Sequence, residues 1–523
     1  MERFCKNSSH RLPEPSLVKL PLRVKDMAAA KVTVEMKDQY VFLPHDWLCN
    51  MEDVAFETIW GLESLQPFWD CHSTAEDPSC RKLRTKLSTQ KVIPLNLHGD
   101  GAQFQREGSL MVISMRSLLS DVNVGHSQML LAAVPKICVA KSANQEEDTT
   151  KTLWRTFSRS FESLFQGKHP MVNYDGKPFI KSDRRYALRG KPLKGNNICA
   201  TIFVISGDNE YFQNELKLPG YSSNQCCKDC KANKSDIPHN DYRATAKWRS
   251  TLKTPAQNDS DPPSSHPILN IAGVVPEMIQ YDTLHVIEEG CSTHAIANCI
   301  FDFVIGQSKS FAGTQENKLA TLNKKIMELQ ASLHIDAEHR ARPLAMSSFC
   351  TVQGKHTHFP ELHGMKARHI RYLVPVIAEI CKQEYEPAKI YTYHRMKMME
   401  HLNAFCKIID EADFHHFTRP ESDGFTSGVL QFLAHYTKCS KMLHDGGARY
   451  RYNTITKLHN LAHMPARAVY LNPRSCSTYT GETMVGFVAT LAHSCLNGTP
   501  SHLISHKLCW RWRLGLDLRL QSD

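Results

Sequence analysis

Apolar and polar positions change rhythm along this chain, and each change marks a different kind of element. Over residues 1–90 the pattern is weak. One amphipathic stretch near Val54–Leu65 stands out, and Pro44, Pro67 and Pro78 cut the rest into short pieces, so the region reads as mostly helical and irregular. At Lys91 the rhythm becomes that of buried strands. Lys91–Gly101 is an apolar run that ends with Asp100 between two glycines, and Ser109–Leu119 and Gln128–Ala140 follow as further β-rich runs, which predicts three adjacent strands. Thr150–Gly167 switches to helical spacing through Trp154, Phe157, Phe161, Leu164 and Phe165. Ile198–Ser206 is the clearest strand. It runs straight into Gly207-Asp208, and Glu210–Leu216 begins a helix, so Asp208 stands at the carboxyl end of a central strand, where open α/β sheets place their ligands.

Ala256–Pro267, rich in Asn, Asp, Ser and Pro, reads as a flexible loop. After about residue 290 the pattern turns helical: Leu319, Leu322, Ile326, Leu329 and Leu333 share one helical face, and Ile370–Cys381 and Tyr391–Ile409 repeat the spacing. The expected organisation is an α/β core over 91–290, an all-helical insertion over 291–455, a return to the core over 456–500 and a basic aromatic tail over 501–523.

Composition adds bounds. A chain of 523 residues exceeds what one hydrophobic core usually serves. Its 41% hydrophobic and 22% charged residues are ordinary for a globular protein. The net charge of +10 suits a polyanionic partner or simply a slightly basic surface. No run of about 20 apolar residues predicts a membrane span. Met1–Lys6 lacks the apolar core of a signal peptide, and the 18 cysteines then imply reduced thiols in nucleus or cytosol and not a secreted disulfide framework. Cys299, Cys381 and Cys406 fall in apolar helical patterns and read as core fillers.

Two groups of residues carry candidate chemistry. Cys227-x-x-Cys230 and His459-x-x-x-His463 are each half of a tetrahedral zinc site, since thiolate and imidazole together suit zinc; Cys226 offers an alternative register to Cys227. The plain reading is two buried cysteines and two histidines on one helix face. The second group is acidic. Phosphodiester cleavage and strand transfer use two divalent cations about 4 Å apart, held by carboxylates. Asp100 and Asp208 end predicted strands, and Glu482 opens an apolar helix over Met484–Leu491. Singly, each of these acids also fits a helix cap or a turn.

The order Asp100, Asp208, Cys227-x-x-Cys230, Asp282-Thr283-Leu284-His285, helical stretch, His459-x-x-x-His463, Glu482 resembles the catalytic cores of cut-and-paste DNA transposases. The nearest group is the CACTA/Mirage/Chapaev and Plavaka-type elements, with the V(D)J recombinase catalytic subunit as a distant relative. Leu97–Gly101, Gly207–Glu210, Leu218–Asn224 and Asn472–Arg474 look like transposon-derived proteins of dinoflagellate-type genomes. The resemblance covers about residues 40–495. It implies an RNase H-like mixed sheet flanked by helices and interrupted by a helical insertion before the last acidic residue. It also implies Mg²⁺ or Mn²⁺ on Asp100, Asp208 and Glu482, and structural Zn²⁺ on Cys227, Cys230, His459 and His463. By the same resemblance His285 joins the catalytic set, contacting a phosphate or bracing the site through Asp282; Asp282 as a plain helix cap is the other reading.

DNA is the implied partner, in a nuclear or cytoplasmic setting, with a homo-oligomer in keeping with transposases generally. Candidate contacts are Lys181–Lys194, with Lys181, Arg184, Arg185, Arg189, Lys191 and Lys194, and the tail Lys507–Arg519. In the tail, Trp510 and Trp512 alternate with Arg511 and Arg513 and would stack on bases or form a docking helix. No separate DNA-binding module is evident in 1–90, which leaves open a domesticated, catalytically inactive zinc-stabilised binding protein. An unrelated α/β hydrolase is disfavoured, because no GxSxG elbow, phosphate-binding glycine loop or HExxH occurs.

Overall fold

The computed structural model describes residues 12–26, 31–49, 53–74, 76–106, 108–144, 147–195, 197–306, 308–349 and 358–522. The expectation for Met1–Lys6 lies outside these residues. Strands β1 (Ser16–Asp26) and β2 (Lys31–Val41) pair antiparallel. Strands β3 (Lys91–Gln105), β4 (Gly108–Ser117), β5 (Met129–Pro135) and β6 (Ile198–Gly207) form a mixed sheet in the order β5-β4-β3-β6. The principal helices are α1 (Pro44–Cys49), α2 (Asp53–Trp60), α3 (Leu65–Thr74), α4 (Thr149–Gln166), α5 (Asn209–Asn214), α6 (Thr293–Val304) and α7 (Gln315–Ser332). They continue with α8 (Ala367–Gln383), α9 (Ile390–Glu411), α10 (Arg419–Asp445), α11 (Thr456–Ala468), α12 (Tyr479–Ser494) and α13 (Ile504–Ser522).

The chain divides into two compact units. A sheet unit takes residues 1–220, 253–280 and 478–523, and a helical unit takes 221–252 and 281–477. This boundary differs from the expected one. The Cys227 segment and the His459 segment both belong to the helical unit, because Ala232, Tyr242 and Trp248 pack into the same apolar cluster as Ile296, Ile300 and Leu461. Residues 253–280 stay with the sheet, where Arg81 bridges Asp259 and Glu277 at 2.8 and 2.7 Å.

In the sheet unit, β5 and β6 are buried along their whole length, which explains their unbroken apolar runs. β3 pairs antiparallel with β4 and parallel with β6. α4 buries Leu153, Trp154, Phe157, Phe161 and Leu164, as its spacing predicts, and starts where Asp148 accepts from the Lys151 N–H at 2.8 Å.

Two expectations for this unit change, and the choice between the two readings of the tail is decided. Residues 16–26 and 31–41, expected to be helical or irregular, form β1 and β2. Residues 256–267, read as a loop, begin in a helical turn, Pro255–Ser260, held by a Thr254/Gln257 capping box. The basic aromatic tail is helix α13, with Trp510, Trp512 and Arg513 buried. Its aromatic rings are therefore used in packing and do not project for stacking on bases.

In the helical unit, α7 buries Leu319, Leu322 and Ile326, but its apolar face fades to a half-buried Leu329 and an exposed Leu333. Met398, Leu402 and Phe405 of α9 meet Phe425, Val429 and Phe432 of α10. One buried charge is locked into this core. Asp302 accepts from Arg395 at 3.1 Å, Arg451 at 2.6 Å and the Tyr391 hydroxyl at 2.6 Å. Burial alone would raise the Asp302 carboxyl, but Arg451 and Arg395 outweigh it and hold the group below the usual range. The cysteines of this unit named as core fillers, Cys299, Cys381 and Cys406, are buried free thiols.

Candidate metal centre and carboxylate site

His459 and His463 are one turn apart on α11, so both imidazoles leave the same helix face. Opposite them stand Cys227 and Cys230. Cys227 Sγ lies 3.3 Å from His463 Nε2, and Cys230 Sγ lies 3.4 Å from His459 Nε2 and 3.6 Å from His463 Nε2. The two Nε2 atoms are 3.0 Å apart. A tetrahedral zinc with bonds of about 2.3 Å to sulfur and about 2.05 Å to nitrogen spaces S and N ligands by about 3.5 Å and two N ligands by about 3.3 Å. The observed spacings match that cage closely. All four side chains are buried and their ligand atoms lie within 4.8 Å of one another. The cluster can therefore hold a metal ion such as zinc.

The surroundings fit the same purpose. The Asp229 N–H donates to Cys227 Sγ at 3.3 Å and the Ala232 N–H to Cys230 Sγ at 3.4 Å, which favours thiolates. His459 Nδ1 donates to the His239 carbonyl at 2.8 Å, leaving the Nε2 lone pair for a metal. Trp248 packs edge-on to His459 and tilted against His463, at 4.8 and 5.0 Å between ring centroids, and closes one side. Burial opposes ionisation of Cys227, yet the hydrogen bond from Cys230 and the nearby His463 hold its thiol well below the ordinary value. Cys230, hydrogen-bonded to Cys227 and desolvated, is pushed up. Cys226 is turned away, its sulfur 4.0 Å from the Ala232 carbonyl, so Cys227 is the residue in register.

This centre joins two separate segments of the helical unit. Its four ligands belong to the helical unit, and Glu482 belongs to the sheet unit.

The acidic residues of the sheet unit are placed by strand register. Gly99 stands opposite Gly207 in the parallel β3–β6 pair, so Asp100 and Asp208 follow at the same level of neighbouring strands. The glycines are required by Tyr211 of α5, whose ring lies across both: a Cβ would fall 2.0 Å from it at Gly99 and 2.5 Å at Gly207. Asp208 caps α5, its Oδ1 accepting from the Tyr211 N–H at 2.6 Å. Asp100 Oδ1 accepts from the Gly101 N–H at 2.5 Å. Both aspartates border one small cavity of about 20 Å³ together with Lys136 and Glu210. That is room for one or two water-sized occupants.

Glu482 comes from the first turn of α12, which packs along β3. Gly481 sits against the buried His98 ring, where a Cβ would approach Nδ1 to 2.5 Å, and Glu482 Oε1 lies 4.0 Å from His98 Nε2. His98 and Asp100, two residues apart on β3, share a face of the strand. The structure thus sets Asp100 beside Asp208, and brings Glu482 to the same strand one pleat earlier.

His285 belongs to the helical unit. There Asp282 accepts from the Leu284 and His285 N–H groups, each at 3.0 Å, and from His285 Nδ1 at 2.5 Å. Asp282 is therefore both a cap and the brace of the imidazole, at the start of a π-helical stretch, Leu284–Ser292.

No protein-family model matches the chain, and no curated protein matches it. Sequence reading missed His98, Tyr211, His239 and Trp248. His98 alone carried a signal, lying two residues before Asp100 on the predicted strand.

The basic segment 181–194 is largely engaged within the protein. Arg184 pairs with Glu14 at 3.1 Å, Arg185 with Asp46 at 3.3 Å, and Arg189 stacks on Tyr186 at 3.7 Å, whereas Lys181 and Lys191 are exposed.

Proposed function

We propose that the sheet unit is a transposase-type, RNase H-like centre for cleaving and joining DNA strands, with Asp100, Asp208 and Glu482 as ligands of Mg²⁺ or Mn²⁺, and that the Cys227 centre holds a structural zinc. The observation that carries this reading is the β3–β6 register, which puts Asp100 beside Asp208; Asp208 stands just past the end of β6, and Asp100, expected at a strand end, lies within β3, which continues to Gln105. Glu482, on a helix covering the same sheet, supplies the third carboxylate. A mixed sheet with acids on two strands and one helix is what the transposase resemblance implies. The long helical stretch between Asp208 and Glu482 agrees with it.

In the proposed reaction a water oxygen bonds to phosphorus, the bond to the 3′ oxygen breaks, and a free 3′-hydroxyl and a 5′-phosphate result. That hydroxyl then attacks a second phosphodiester, displacing its 3′ oxygen. Bound divalent cations would supply the charge that activates the attacking oxygen and stabilises the leaving one. Asp100, fixed within β3, and Asp208, fixed as the cap that follows β6, would hold their carboxylates in place, and His98 would position Glu482. Lys181 and Lys191 are exposed cations for the DNA backbone.

A second reading, a catalytically inactive zinc-stabilised DNA-binding protein, is favoured by one observation: the Asp208 and Asp100 carboxylates already serve backbone N–H groups. Nicking of supercoiled DNA by the full chain with Mn²⁺ separates the two. The proposal expects nicking that Asp100→Asn abolishes while DNA binding persists. Binding without nicking by the parent protein supports the inactive reading.

A further inference from the structure

A second cluster of metal-ligating side chains lies in the sheet unit, outside both centres described above. His72, in the last turn of α3, and Asp77 and Cys80, in the turn that follows, bring their ligand atoms within 4.8 Å of one another, and all three are buried. His72 Nδ1 lies 2.9 Å from Asp77 Oδ2, and neither side chain has solvent exposure. The other carboxylate oxygen, Oδ1, accepts from the Ser79 N–H at 2.8 Å, which fixes the carboxylate's orientation. Aromatic rings form the wall: Phe68 and Phe203 lie 4.5 and 4.8 Å from the His72 ring, and Trp69 lies 6.0 Å away.

We propose that His72, Asp77 and Cys80 form a second metal site, for a zinc-class divalent ion. The donor set decides the class of ion. A thiolate and an imidazole select a borderline-soft metal and disfavour Mg²⁺ and Ca²⁺. A thiolate and a carboxylate together carry two negative charges. One divalent ion, with a neutral imidazole, would balance those two charges on binding. Three protein ligands leave a fourth position for a water. The ion's work is structural: it would staple the end of α3 to the turn 77–80, with His72 packed against Phe203 of β6. This site is independent of the proposed strand-cleavage function.

The test is zinc content per chain of the full-length protein, purified and equilibrated with Zn²⁺, for the parent, Cys80→Ser and His72→Asn. The proposal expects two zinc ions per parent chain and one fewer in each variant, because both keep the Cys227 centre. Equal zinc content in parent and variants overturns it, the ion-free hydrogen-bonded triad then being the whole structure. Cobalt substitution gives a second readout that survives poor folding of the variants. A sulfur-to-cobalt charge-transfer band that weakens, but persists, in Cys80→Ser supports the site, and a band unchanged by Cys80→Ser contradicts it.

Discussion

The Cys227 centre and the carboxylate site use opposite means to bring distant residues together. At the first, side chains converge: four ligand atoms from two segments meet at 3.0–3.6 Å, and each sulfur receives a backbone N–H. At the second, the backbone does the placing: strand register aligns Asp100 with Asp208, while the carboxylates themselves bond to nearby N–H groups. A closed cage depends on its ion, because without it thiolate and imidazole groups crowd a buried space. A register-built site folds without an ion and waits for one. The two centres should respond differently to every perturbation that touches metals.

The largest effect is expected at the cage. Cys230→Ser or His463→Asn removes one of four ligands from a site whose proposed zinc would hold two segments together, and should lower the stability of the helical unit by several kcal/mol. Thermal melting and limited proteolysis of 281–477 would show it, and an unchanged melt would place the cage among ordinary packed side chains.

Acid should act next, and on the sheet unit through buried histidines. Burial pulls His45 from 6.5 down to about 4 and His266 down to about 3. His266 Nδ1 accepts from the Ile268 N–H at 3.2 Å, so protonation there also breaks a turn. With folded-state values below the unfolded ones, the folded chain binds fewer protons between pH 6.5 and 4. Their stabilising contribution is complete above about pH 6.5 and is lost as pH falls, about 3 kcal/mol at pH 4 for His45 alone. Denaturant melts at pH 7 and pH 4.5 check the sign: the parent's midpoint should fall at the lower pH, and His45→Gln should show a smaller fall, His266 still supplying the rest.

At Gly481 a methyl group would strike the His98 ring, so Gly481→Ala should cost about 1–3 kcal/mol and displace Glu482. The smallest effects concern Asp208. Asp208→Ala should cost about 1 kcal/mol as a lost cap, while Asp208→Asn keeps the cap and should stay within a few tenths. If Asp208→Asn nonetheless removes divalent-ion binding, the residue's second role is isolated from its first.

Much of this was legible in the chain. Continuous apolar runs marked β3 through β6, and helical spacing marked α4, α8 and α9, because these elements bury one face or both. The ligands of the cage were legible from residue type and spacing. Their unit was not, since nothing in Cys227-x-x-Cys230 says that Trp248 and Tyr242 pack with the helices. β1 and β2 escaped notice because β2 is exposed on both faces over much of its length, with Val32, Val34 and Met36 open to solvent, so no buried periodicity announces it. The tail left two readings open, bases stacked on Trp510 and Trp512 or a docking helix, and α13, which buries both rings, answers to the second.

The most direct test of the account is Mn²⁺ binding by the zinc-loaded full chain, followed by electron paramagnetic resonance, in the parent and in Asp100→Asn/Asp208→Asn. The account predicts that the parent binds Mn²⁺, and that the double variant loses that binding while keeping its zinc and its fold. Mn²⁺ binding of equal strength in both proteins would contradict it, because the two aspartates would then be turn and cap residues only.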